Sequence, residues 1–179
     1  CVAVELLENI KNRFFKSVIS HRSEGFKPSR KLMNFDTAKT FGIIYDSTIS
    51  GSDIAVTKIA ESLRNKGKEV AVFAFLNDKK IEQKDDVVIF NANDINWYGV
   101  PKSDKVLQFC DRTLDVIFCA IPTPNRPLEY IGHFSKALCR VGVFREDNND
   151  FELMVNVPEN TAIPKVLEQM IQLLNQIKL

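Results

Sequence analysis

Apolar positions Val4, Leu7, Ile10, Phe14 and Val18 recur at helical spacing near the start of the chain, with Lys11, Arg13 and Lys16 elsewhere on the wheel, and predict an amphipathic helix over residues 2–20. Residues 23–38, with Gly25, Pro28 and scattered charge, carry no period and read as a connector. From residue 41 the rhythm changes. Short apolar runs at 41–45, 70–76, 87–90, 116–120, 141–144 and 153–157 predict six strands. Stripes at Val56, Ile59, Ala60 and Leu63, at Val106, Leu107 and Cys110, at Leu128, Ile131 and Leu138, and at Val166, Leu167, Met170 and Leu174 predict four helices. Ser52 and Ser103 suit helix caps, Gly67 a left-handed stop, and Pro127 and Pro164 the first turns of their helices.

Strands that are nearly all apolar belong to a sheet covered on both faces, and strand–helix units join parallel neighbours by right-handed crossovers. The expected fold is therefore α/β: a three-layer, Rossmann-like domain with a mostly parallel sheet of about six strands, plus the N-terminal amphipathic helix. Residues 1–38 read as a basic helical leader with its connector and residues 39–179 as a single domain. The last two strands are joined by a charged turn at 145–150 too short for a helix, which predicts an antiparallel pair.

Composition changes this picture little. Hydrophobic residues at 45% and charged residues at 26% are ordinary for a soluble globular protein, and no apolar run approaches the roughly 18 residues of a membrane span. The net charge of +1 conceals an asymmetry, since residues 1–40 hold eight basic side chains against four acidic ones while the rest is mildly acidic. That excess is too small to indicate nucleic acid as a partner, but it lets the leader, through Leu7, Ile10, Lys11, Phe14, Lys16 and Val18, dock on a protein partner, a second copy or a membrane surface. Cys110, Cys119 and Cys139 fall in apolar segments without metal-ligand spacing, so reduced thiols and a cytoplasmic location, peripheral to the inner membrane, are expected. The alternative is a lipid anchor at Cys1.

Ligands of open α/β sheets bind beyond the carboxyl ends of the strands. The residues there are Asp46, Ser47, Thr48, Ser50, Gly51 and Ser52 in the turn DSTISGSD, Asn91 and Asp94 after the third run, Trp97, and Asn125 after the fourth. The turn precedes a helix N-terminus, which favours an anion, yet it lacks both the triple-glycine and the Gly-Lys-Ser/Thr phosphate signatures. Capping explains the same residues, and a packed plug explains Trp97. His133 falls off its helix stripe and reads as solvent-facing, which leaves nucleophilic catalysis without a base. No cofactor and no metal are implied.

With FGIIYDS, DINWYGVPKS and LDVIFCAIP followed by FSKALCRVGVF in place, the chain resembles an uncharacterised family of small Bacteroidota proteins, a domain of unknown function. The spaced set Asp94, Trp97, Gly99 and Pro101 is the most specific part of that resemblance. Residues 115–144 are also similar to part of the N-terminal half of heptosyltransferase-type glycosyltransferases, enzymes with two Rossmann-like domains where this chain has room for one. The resemblance carries over no catalytic residue. The reading is a protein of unknown function, leaning to a non-catalytic binding or accessory module; the alternative is a small enzyme or binding protein for a phosphorylated, nucleotide or sugar-nucleotide ligand at the strand C-terminal edge.

Overall fold

The alternating runs build a six-stranded, all-parallel sheet in the computed structural model, which describes residues 2–78, 86–146 and 150–179. In chain order the elements are α1 (Val2–Ser23), β1 (Thr40–Asp46), α2 (Ser52–Asn65), β2 (Glu69–Leu76), β3 (Val87–Asn91), a 3-10 turn (Ala92–Asp94), α3 (Asp104–Cys110), β4 (Val116–Ala120), α4 (Arg126–Phe134), β5 (Cys139–Val143), β6 (Leu153–Val155) and α5 (Ile163–Gln176). The strands lie in the order β3-β2-β1-β4-β5-β6, so the chain reverses its direction across the sheet between β1 and β4. Ile43 of β1 sits between Val72 of β2 and Phe118 of β4.

Both faces of the central strands are covered, which is why they read as unbroken apolar runs. On one face Val56, Ala60 and Leu63 of α2 and Val166, Leu167 and Met170 of α5 pack on Ile43, Val72 and Phe118. On the other, Val106 and Phe109 of α3 and Leu128 and Ile131 of α4 pack on Ile44, Phe73 and Ile117.

The expected antiparallel closing pair is corrected: β5 and β6 are parallel, with Val141 beside Leu153. Among the described residues of this connection no helix is present; β6 is three residues long and Phe151 packs over the sheet. Its ring lies on Gly142 and against Gly132, where a Cβ on Gly142 would overlap the ring. Two local expectations also change. The α4 helix stops at Phe134, which leaves Leu138 in the following loop, and Gly51 takes the N-cap position before α2 that Ser52 was expected to hold.

The connector is tied to the body. Lys31 N–H donates to the Leu138 carbonyl at 2.9 Å, Phe35 N–H to that of Leu174 at 3.3 Å, and Met33, Phe35 and Ala38 are buried. Irregular backbone buries isolated side chains at no fixed spacing, so periodicity does not report it. The α1 helix packs alongside α4 through Phe15, Val18 and Ile19, with Glu8 paired to Arg126 at 2.8 Å and Arg22 hydrogen-bonded to the Tyr130 hydroxyl.

Cys110, Cys119 and Cys139 are free and buried, and burial pushes the thiols of Cys110 and Cys119 up to about 12, keeping them protonated. Cys1 lies outside the described residues. Among the described residues no helix is long and apolar enough to cross a membrane.

Candidate functional site

The reversal between β1 and β4 places the loop after β1 beside the loop after β4, the position where open α/β sheets hold ligands. Asp46, Ser47, Thr48, Ser52 and Asn125 meet there, and the polar atoms of Thr48, Ser52 and Asn125 bind Asp46. The Asp46 carboxylate accepts from the Thr48 N–H at 2.9 Å, from the Thr48 hydroxyl, and from the Asn125 amide at 2.9 Å. Asn125 in turn accepts from the Leu128 N–H and caps α4. Ser52 is buried and donates its hydroxyl to the Asp46 carbonyl. Gly51 adopts φ 77°, a left-handed turn, and Ser50 is exposed.

Asp53, which the sequence reading left out, completes this network. Its carboxylate accepts from the Tyr45 hydroxyl at 2.6 Å and the Ser47 hydroxyl at 2.7 Å. Burial, helped by that carboxylate, raises the Tyr45 phenol well above its ordinary value, so Tyr45 stays a donor. A carboxylate in the first turn of a predicted helix is the signal that could have found Asp53. The arrangement fastens two loops together and engages the polar groups an anion would need, but the capping expectation is corrected as well: Gly51 is the N-cap of α2 and no side chain caps that helix.

Asn91 and Asp94 stand apart, at the end of β3, two strands from β1. They cap each other: Asn91 accepts from the Asn93 N–H, Asp94 accepts from the Asn91 N–H at 2.8 Å, and Asp94 pairs with Lys105 at 2.8 Å. Trp97 corrects the expectation of a packed plug, because it is 56% exposed. Its ring meets Phe14 of α1 edge-on at 5.3 Å and Tyr98 at 5.1 Å.

The leader residues divide between two sides of α1. Val18 faces the core and Lys11 pairs with Glu8, whereas Leu7, Ile10 and Phe14 are 47%, 38% and 50% exposed. Val4 and Leu6 are exposed as well, and Lys16 lines a cavity on the flank of the helix. Apart from Val18, the predicted apolar stripe is thus exposed, and Phe15, between Phe14 and Val18, is the buried anchor.

A protein-family profile described as a family of unknown function, DUF6913, matches residues 10–177. The chain belongs to this family. No curated protein matches it.

In this DUF6913 chain the spaced set Asp94, Trp97, Gly99 and Pro101 has three members with a visible fold role. Asp94 caps and pairs, Gly99 takes φ 91° where a Cβ would stand 3.0 Å from the Arg126 Cβ, and Pro101 closes a bridge with Ile95. The fourth, Trp97, points its ring outward.

His133 also departs from the solvent-facing expectation. It is half-buried, with Nε2 at 2.8 Å from the Ser23 hydroxyl and Nδ1 at 3.2 Å from the Asp150 carboxylate. Burial lowers its pKa, the nearby Arg140 and Arg30 act in the same direction, and Asp150 opposes them. Helix periodicity missed this histidine because its partners come from α1 and from the β5–β6 connection, elements that a single-helix wheel does not contain.

Proposed function

We propose that this DUF6913 protein is a peripheral docking module whose α1 outer face and Trp97 settle on an anionic membrane surface. The observation that carries the reading is the set of exposed apolar side chains on α1, Val4, Leu6, Leu7, Ile10 and Phe14, with the exposed Trp97 ring set against Phe14. Exposed apolar surface of this extent marks interaction sites on soluble folds, and Trp and Phe beside a basic helix suit the water–lipid boundary. Arg13 and Lys16 flank the face, whereas Glu8, the acid nearest the middle of the helix, is neutralised by Lys11 and Arg126.

Sedimentation of the full chain with vesicles of phosphatidylcholine and phosphatidylglycerol tests the reading. Binding should need the anionic lipid, weaken as salt rises and fall at least tenfold in Phe14→Glu. Equal binding to neutral vesicles, or none to either, would overturn it, and a concentration-dependent dimer without vesicle binding would assign the face to a second copy. A sugar-nucleotide ligand at the β1–β4 crevice has less support, since the Asp46 and Asp53 carboxylates are already engaged.

A further inference from the structure

Docking leaves the space beneath α1 without a role. A cavity of about 380 Å³ opens there between α1, α4 and the β5–β6 connection, with Lys16, Ile19, His133, Asp150 and Phe151 among its walls. That volume lies within the range of small-molecule sites. Ser23, at the end of α1, is not one of the cavity's walls, but its hydroxyl reaches the Nε2 of the histidine that is.

We propose that Ser23, His133 and Asp150 form a nucleophilic triad that transfers small acyl groups from carboxylic esters entering this cavity. The order of contacts is the one such chemistry requires: hydroxyl to Nε2 at 2.8 Å, and Nδ1 to carboxylate at 3.2 Å. Asp150 selects the tautomer, because a bare Nδ1 lone pair facing a carboxylate is repelled while an Nδ1–H is held. Nε2 is then the acceptor, and the Ser23 hydroxyl is the donor within reach.

Ser23 has a competing bond to the Ile19 carbonyl at 2.6 Å. A serine carries one hydroxyl proton, so protonation of His133 decides its use. The imidazolium donates to Ser23 and turns the hydroxyl proton toward Ile19; the neutral ring accepts it. The charged groups around His133 are Asp150 and Arg140 from β5 and its connection, Arg30 from the segment after α1, and, lining the same cavity, Lys16 of α1 and Glu129 of α4, the last paired with Arg145. Arg140 is a positioning residue: its buried guanidinium holds the backbone carbonyl of Asp150 and lies 3.5 Å from that of His133.

In the reaction Ser23 Oγ attacks the ester carbonyl carbon as its proton passes to Nε2. The tetrahedral adduct collapses, the carbon–alkoxide bond breaks, and the leaving alkoxide takes that proton and departs as the alcohol. Water then attacks the acyl-serine, giving a proton to Nε2, and the Ser23 oxygen recovers it as the carboxylic acid leaves.

Treating the folded full chain with a fluorophosphonate and mapping the adduct by mass spectrometry tests the proposal. The adduct should sit on Ser23, vanish in Ser23→Ala, and form at least tenfold more slowly in His133→Gln. Labelling of the unmodified chain should rise with pH through a single deprotonation below about 6.5, and Asp150→Asn should slow it while Asp150→Glu restores part of the rate. No adduct on Ser23, or labelling with no such pH step, would overturn the proposal even if His133→Gln fails to fold.

Discussion

The ring of Phe151 lies against Gly142 in the connection between the parallel strands β5 and β6, where a Cβ on the glycine would overlap a ring carbon. Any side chain on Gly142 would take the place of the ring. Gly142→Ala should destabilise the fold by about 1–3 kcal/mol, the usual cost of overpacking a filled core. Combining it with Phe151→Leu should recover part of the loss, as read by urea denaturation; additive losses would mean that the two residues do not share this space.

The two neighbouring phenylalanines of α1 should separate stability from docking. Phe15 is buried and Phe14 half-exposed. Phe15→Ala should cost about 3–5 kcal/mol as a core truncation, whereas Phe14→Ala should cost only about 1 kcal/mol, the scale of its ring contacts with Trp97 and Tyr98, and weaken vesicle binding. Equal effects of both on stability would contradict the division of the helix into two faces.

Much of this architecture was legible. Runs such as 70–76 and 116–120 are apolar because each strand is covered twice, and the alternation with stripes such as Val56, Ala60 and Leu63 forces parallel crossovers. What escaped was long-range. The direction of β6 depends on how a ring at 151 meets a glycine at 142, and no local period encodes that contact. The same holds for Ser23 and His133, which are 110 residues apart and meet only once α1 lies on α4. The loop residues Asp46 and Asn125 were found because strand ends can be read from the pattern, but that they would bind each other could not.

The buried ion pair at the base of the cavity predicts a large asymmetric loss. Arg140 is 5% exposed and donates to both carboxylate oxygens of Glu152, at 3.0 and 2.9 Å. Arg140→Met leaves Glu152 in a half-buried site with Arg30 as its remaining cation, and should cost about 3–5 kcal/mol at neutral pH. The loss should shrink in acid as the carboxyl protonates; a penalty independent of pH would mean that lost packing dominates.

Stability should also fall in acid in two stages. The pKa of His133 is lowered in the folded state, so the unfolded chain binds more protons near it, and the His133 contribution is present above about 6.5 and lost as pH falls through the lower folded value. Burial raises the Glu152 carboxyl, but the hydrogen bonds and charge of Arg140 outweigh it and hold it below its ordinary value. Its contribution is present above about 4.5 and fades as pH falls through the folded value. Thermal melts from pH 8 to 3 should show both declines, and His133→Gln should flatten the upper one alone. An upper decline unchanged in that variant would place its source elsewhere.

Trp97 offers the sharpest contrast between a core reading and a surface reading. A lone tryptophan between an acidic cap and a Gly-x-Pro turn is what a plug at the end of a sheet would look like, and removing such a plug costs about 3–5 kcal/mol. The ring is instead 56% exposed and rests on Phe14 and Tyr98, while Gly99, Pro101 and the Asn96 side chain, which accepts from the Val100 N–H at 2.9 Å, hold the turn without it. Trp97→Ala should therefore cost only about 1 kcal/mol, the scale of an edge-on aromatic pair. Its larger effect should appear at the lipid surface, where the ring continues the apolar face of α1: vesicle binding should fall several-fold, and Trp97→Phe should restore most of it. A loss of 3 kcal/mol or more with unchanged vesicle binding would return Trp97 to the core.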